Sequence, residues 1–387
     1  MIMVEMEKYS KEATGKSHIQ GPQTSAFNLL VLKKSLLQFA DGLAMHQWWS
    51  SSSCFPLVVD AAAKNGHVPV LEWLFRYRYQ TCIENASTDR SVADFAEGGT
   101  TDAIDYAAAG GHLQATEWLH SNQGGGCTTK AMDKAAGNGH LAVVRWLHDH
   151  RSEGCTEKAM DKAAGNGHLA VVRWLHDHRS EGCTENAIDR AAGNGHLCVV
   201  EWLHANRNEG CTTIAMNQAA EKGHLSVVEW LHANRSEGCT KLSMNCAAEY
   251  GHLHVVKWLH SNRSEGCTSQ AMDFAARNGH LAVVEWLHAN RSEGCTTRAM
   301  DYAAYSGHLA VVEWLHANRS EGCSTHAMDM SLSLGNSGGG GHLSIVEWLH
   351  RNRTEGCSTR AIDHAAERGF LHVVKWLHAN RSEGCTT

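Results

Sequence analysis

The sequence predicts an all-α fold: a helical solenoid of about eleven stacked helix-turn-helix units. Three observations carry this prediction. Residues 127–154 and 155–182 are the same 28 letters except for Thr129 and Glu157. The histidines of a Gly-His-Leu signature recur every 28 residues from His112 to His308. Each unit also offers two short helices, and isolated helices below ~12 residues are marginal in water, so only stacking on neighbouring copies can stabilise them. At 387 residues the chain exceeds the roughly 250–300 at which one compact core stops growing, as an array requires.

Residues 1–25 are polar, carry Glu5, Glu7 and Glu12, and read as a disordered N-terminus. Those acids, and an apolar run Ala26–Leu32 cut short by Lys33 and Lys34, argue against a transit peptide, a secretory signal and a membrane span. The chain is expected in the cytoplasm, with the nucleus also open to it. Residues 26–56 are apolar enough to form one or two helices that cap the outer face of the first unit. The array then occupies 57–387.

Unit 127–154 illustrates the design. Thr128 is placed to N-cap the helix Thr-Lys-Ala-Met-Asp-Lys-Ala-Ala, with Cys127 and Met132 positioned as a hydrophobic staple. Gly139 supplies the left-handed residue that ends this helix. In the second helix Leu141, Val143, Val144, Trp146 and Leu147 cover much of the circumference, so it is buried on more than one side. Two insertions interrupt the period: 76–99, read as a decayed unit or a surface loop, and 333–340, within the glycine-rich region. The chain stops after Gly384-Cys385-Thr386-Thr387, the opening of a further unit, so the last helix pair is expected to lack a cap and to favour end-to-end self-association.

The run AMDKAAGNGHLAVVRWLH resembles the core of the ankyrin repeat, in which a Pro-Leu-His-x-Ala-Ala helix start leads through a Gly-His turn to a Leu-x-Val-Val-x-Leu-Leu helix. The resemblance covers roughly residues 57–384. More narrowly, WLHANRSEGCTT followed by Ala-Met-Asp resembles the shortened, 28-residue ankyrin-like arrays of oomycetes. It implies a protein-interaction scaffold without a cofactor. Two departures qualify the resemblance. Ankyrin units usually run about 33 residues, so the β-hairpin fingers are expected to be missing. Ala-Met-Asp replaces Pro-Leu-His, so the family's inter-repeat histidine contact falls to Asp133 and its counterparts.

Fourteen cysteines and 28 histidines raise a rival function, that of a metal- or redox-responsive protein. Array geometry argues against it. Equivalent positions in stacked helices lie about 8–10 Å apart, whereas a disulfide needs Cα atoms within ~7 Å and zinc needs donors within ~2.0–2.3 Å of one point. The linker cysteines from Cys127 to Cys385 therefore read as reduced staples. The pairs His148 with His150 and His176 with His178 read as helix-end hydrogen-bonding groups. Glu201 and His204 have the Glu-x-x-His spacing of di-iron bundles, but the glutamate position becomes Arg145, Arg173, Lys257 or Lys375 in other units, as a solvated face allows. Arg151, Glu153 and their copies read as exposed, weakly paired charges. A net charge of -7 offers no field for nucleic acid or an acidic membrane. No phosphate loop, nucleophile elbow or acid pair marks an enzyme. A third reading, a host-directed effector, is disfavoured because neither a signal peptide nor an Arg-x-Leu-Arg tetrapeptide is found.

Information about a partner should lie where units differ. Three residues after the linker cysteine come Lys130, Lys158, Asn186, Ile214, Leu242, Gln270, Arg298, His326 and Arg360. Seven residues after it come Lys134, Lys162, Arg190, Gln218, Cys246, Phe274, Tyr302, Met330 and His364. Positions four apart share a helix face, so stacking makes a continuous strip, equivalent to the concave binding surface of ankyrin arrays. Lys134, Lys162 and Arg190 form a basic half; Tyr250, Phe274, Tyr302 and Tyr305, with Arg277 and Arg298, form an aromatic half suited to anchoring a protein ligand.

Overall fold

The computed structural model describes residues 54–85, 100–123, 125–332 and 342–385. The N-terminal stretch 1–25, nearly all of the cap assigned to 26–56 and the insertion at 333–340 lie outside them. Compactness divides the chain between Val59 and Asp60, so the array, apart from the first residues of its opening helix, belongs to the second part. The described residues form 22 helices and no strand, paired as eleven units. Unit 1 holds α1 (Cys54–Lys64) and α2 (Val68–Asn85), unit 2 α3 (Thr101–Ala109) and α4 (Leu113–Asn122), unit 3 α5 (Thr129–Gly137) and α6 (Leu141–His150). The alternation continues to α21 (Arg360–Glu367) and α22 (Leu371–Asn380) in unit 11. At 18 residues α2 exceeds every other second helix, and it carries the backbone as helix through 76–85 of the first insertion. None of the described helices is long and apolar enough to cross a membrane.

Local chemistry explains each pair. Thr128 is extended, and its hydroxyl accepts a hydrogen bond from the Lys130 N–H at 3.2 Å, satisfying an orphan donor of α5. The helix ends where Gly139 adopts φ +80° and its N–H reaches the Ala136 carbonyl. A Cβ there would also stand 2.6 Å from Nδ1 of His168, because the next unit's imidazole lies over this glycine. Both the turn and the close approach require glycine at 139.

First helices pack directly on one another along the array, while second helices touch their counterparts sparsely. Small residues permit this: Ala131, Ala135 and Ala136 of α5 are at most 1% exposed. Met132, Val143, Val144 and Leu147 fill the interior of the unit, and Cys127 is buried beside them. Removing such apolar area from water stabilises by about 25 cal/mol per Å². The polar contact between units is made by Asp133, whose Oδ1 accepts from the Thr156 N–H and whose Oδ2 accepts from the Thr156 hydroxyl, both at 2.7 Å. The carboxylate thus ties one unit to the helix cap of the next, at the position where the resemblance placed an inter-repeat contact. Asp105 and Thr128 form the same pair, as do Asp329 and Ser358. Asn138 adds a second tie, donating from Nδ2 to the Ala109 carbonyl of the preceding unit at 2.8 Å.

Candidate interaction surface

The variable positions of the first helices occupy one face of the array, but they are not equivalent. Those three residues after the linker cysteine are exposed throughout, among them Lys130, Lys158, Ile214 and Arg298. Most of those seven after it are half-buried, because each leans across the first helix of the unit before. The Lys162 stem covers Gly137, and the Arg190 stem covers Gly165. A Cβ on either glycine would sit 2.9 Å from the Cβ of the residue above it.

The same lean brings residues of different units together. Lys134 Nζ lies 5.1 Å from the ring centroid of Tyr106 in unit 2, a cation–π contact that sequence reasoning did not include. In the aromatic half the Arg277 guanidinium lies over the Tyr302 ring at 5.8 Å. Phe274 and Tyr305 are half-buried, while Arg277 and Arg298 are exposed. Tyr250 follows the helix Lys241–Glu249 as its C-cap and is 52% exposed. The large apolar side chains Ile214 and Leu242 stand 47% and 54% exposed at the same position of units 6 and 7. They were visible in the sequence as apolar entries in an otherwise polar series.

A family profile described as "Ankyrin repeats (many copies)" matches residues 132–176, 160–204, 216–260, 244–288 and 300–350, together half of the chain. The chain belongs to the ankyrin-repeat family. No curated protein matches it.

In this ankyrin array the linker charges are not the solvated ladder that their spacing suggested. The side chains of Arg151 and Glu153 are only 21% and 25% exposed. Arg151 Nε donates to Glu153 Oε2 at 3.2 Å, and its Nη1 donates to Nδ1 of His120 in the preceding unit at 3.3 Å. Glu153 Oε1 accepts from the backbone N–H of Cys127, in the preceding linker, at 3.4 Å. Each linker therefore clasps the one before it. Desolvation works against an ionised Glu293, yet the bonds from Arg291 and from the backbone hold its carboxyl down at about 2. His120 meets the edge of Trp146 at 5.2 Å, and this ring pair repeats along the ankyrin array to His350 and Trp376.

Most of the remaining candidate chemistry is occupied by the same packing, although Nδ1 of His176 is buried without a hydrogen-bond partner among the described residues. Burial pushes the Cys127 thiol up to about 11, with the Glu153 carboxylate adding to the effect. A thiol so held carries little thiolate for redox or metal chemistry. The twelve cysteines from Cys127 to Cys385 are free. His150 stacks on Trp146 at 4.5 Å and turns Nδ1 to the Trp146 carbonyl at 2.9 Å. His178 does the same on Trp174. Among the described residues no group of three or more His, Cys, Asp or Glu has the geometry to hold a metal ion.

Proposed function

We propose that this chain is a non-enzymatic scaffold that holds a protein partner along the strip of variable first-helix residues. The aromatic half, Tyr250, Phe274, Tyr302 and Tyr305 with Arg277 and Arg298, anchors the partner. The basic half, Lys134, Lys162 and Arg190, attracts its acidic groups. One observation carries the reading: residues that repeat from unit to unit are engaged in holding units together, while of the two varying positions one is exposed at each residue from Lys130 to Arg360 and the other is mostly half-exposed along the same face. Asp133, Gly139, Arg151 and Trp146 exemplify the first class. Lys158, Leu242 and Arg298 exemplify the second.

Ankyrin arrays generally serve protein interaction, which agrees with this use of the surface. The linker wording and the 28-residue period support placing the chain with the shortened arrays resembling those of oomycetes. Reduced, protonated linker thiols suit a cytoplasmic or nuclear setting and weigh against the redox alternative.

Replacing Phe274, Tyr302 and Tyr305 together with alanine tests the proposal. The triple variant should lose the proteins that co-purify with the parent chain while keeping its helical circular-dichroism spectrum. An unchanged set of co-purifying proteins would reject the assignment.

A further inference from the structure

We infer that the partner segment is a linear acidic stretch with an uncharged, apolar centre, seated on Ile214 and Leu242 with its acidic flanks against the cations on either side. This deepens the scaffold reading and rests on it.

Ile214 and Leu242 hold equivalent positions in adjacent units and are 47% and 54% exposed, and Tyr250, 52% exposed, caps the other end of the unit-7 helix. Elsewhere along the strip that position is polar or charged. Toward the N-terminal side, Lys130, Lys158 and Arg190 are exposed and make no ion pair among the described residues. Glu157 and Glu185 are also exposed in that stretch, but they lie about 100° round their helices from the residues that follow them. Toward the C-terminal side stand Arg277 and Arg298, both exposed.

The middle is balanced in charge rather than basic: Glu221 and Glu249 stand there with the exposed Lys222 and Lys241. Burial pushes the Cys246 thiol up, and the carboxylates of Glu221 and Glu249 add to the effect. The inter-unit carboxylates are also replaced here by Asn217 and Asn245, which hold Thr240 and Thr268 as neutral amides. An acidic group opposite units 6 and 7 would meet Glu221 and Glu249, whereas an apolar one would cover Ile214 and Leu242. On the flanks the exposed cations have no neighbouring glutamate of the Glu221 and Glu249 kind at the end of the same helix, so acidic groups find their better complement there.

Spacing narrows the partner further. Stacked helices lie about 8–10 Å apart. Three residues of polyproline-type chain advance about 9 Å and return to the same side, and seven residues of α-helix advance about 10.5 Å and do likewise. Two apolar residues three or seven apart can therefore reach both side chains; two that are five apart cannot.

The test uses fluorescein-labelled 16-residue peptides of Glu and Ala carrying no leucine, or two leucines three, five or seven residues apart, titrated with the full chain by fluorescence anisotropy. Expected is at least tenfold tighter binding of the three- or seven-spaced peptide than of the leucine-free and five-spaced ones. The double variant I214S/L242S should erase that gain and leave a weak, salt-sensitive remainder, which K130E/K158E/R190E should remove. Half-exposed side chains tolerate serine, and circular dichroism checks the fold of each variant. Failure of every peptide to bind, equal binding of the leucine-free peptide, persistence of the gain in I214S/L242S, or tighter binding of a 16-nucleotide single-stranded DNA would each overturn the inference. If the peptides fail while F274A/Y302A/Y305A still loses its co-purifying proteins, the scaffold reading stands and this partner class falls.

Discussion

Substituting alanine at Gly139 separates two costs that the turn combines. The backbone there has φ +80°, and an L-residue in that region costs roughly 1–2 kcal/mol. The new Cβ would also stand 2.6 Å from His168 Nδ1, inside the 3.4 Å at which ordinary contact begins. The imidazole must retreat and lose its packing on the turn, an overpacking cost of about 1–3 kcal/mol. The total expected for Gly139→Ala is therefore about 2–5 kcal/mol. Gly369 provides the internal reference, since its φ is +73° but nothing lies within 4 Å of a Cβ built there. Gly369→Ala should cost only the backbone share, roughly 1–2 kcal/mol. Because repeat arrays need not unfold in one step, the measurement is local: hydrogen exchange of peptides from units 3 and 4 and from unit 11. In a His168→Ala background the cost of Gly139→Ala should fall to the backbone share. Equal costs at the two glycines, or no coupling with His168, would show that the imidazole does not enforce glycine at this junction.

Other consequences follow from the same contacts. Asp161→Ala removes the acceptors of the Thr184 N–H and hydroxyl, at 2.8 and 2.7 Å, and should destabilise by about 2–3 kcal/mol. Asp161→Asn should cost less than about 1 kcal/mol by the same hydrogen-exchange measurement on units 4 and 5, because Asn217 already holds Thr240 in this way. Burial lowers the pKa of His140, His196, His224 and His280 from 6.5. The unfolded chain then binds more protons than the folded one, so stability is fully present above 6.5 and is lost as pH falls below it. Desolvation raises the pKa of Asp133 and Asp161 from 3.8 and acts in the opposite sense from there upward. The histidine effect is therefore read as a fall in melting temperature between pH 6.5 and 5.5; a flat or rising profile would contradict it. Finally, iodoacetamide at neutral pH should alkylate the exposed Cys198 long before Cys127 or Cys155, whose thiols burial pushes up to about 11. Equal rates by mass spectrometry would show that the linker thiols are open.

Much of the fold was legible before any coordinates, because its determinants are local and recur. Thr128 caps the residue two positions on, Gly139 stops a helix that begins ten residues earlier, and Val143, Val144 and Leu147 mark a buried face by their spacing. The role of Asp133 was legible only through the resemblance to ankyrin repeats. The candidate strip was legible as a pattern of variation, but the differing exposure within it was not. Nor was the burial of Arg151 and Glu153, which stand two residues apart in the chain and look like a surface pair.

The period of 28 residues, the two helices in each unit and their apolar faces were determined by the sequence alone, since they depend on contacts within a few residues of the chain. The tertiary structure decided what meets across a junction: Arg151 with His120, Lys134 with Tyr106, Arg277 with Tyr302 and His168 with Gly139. Those partners lie about one unit apart along the chain. Which residues coincide is set by how far each helix pair advances and turns on the last, and that geometry arises only when whole apolar faces pack.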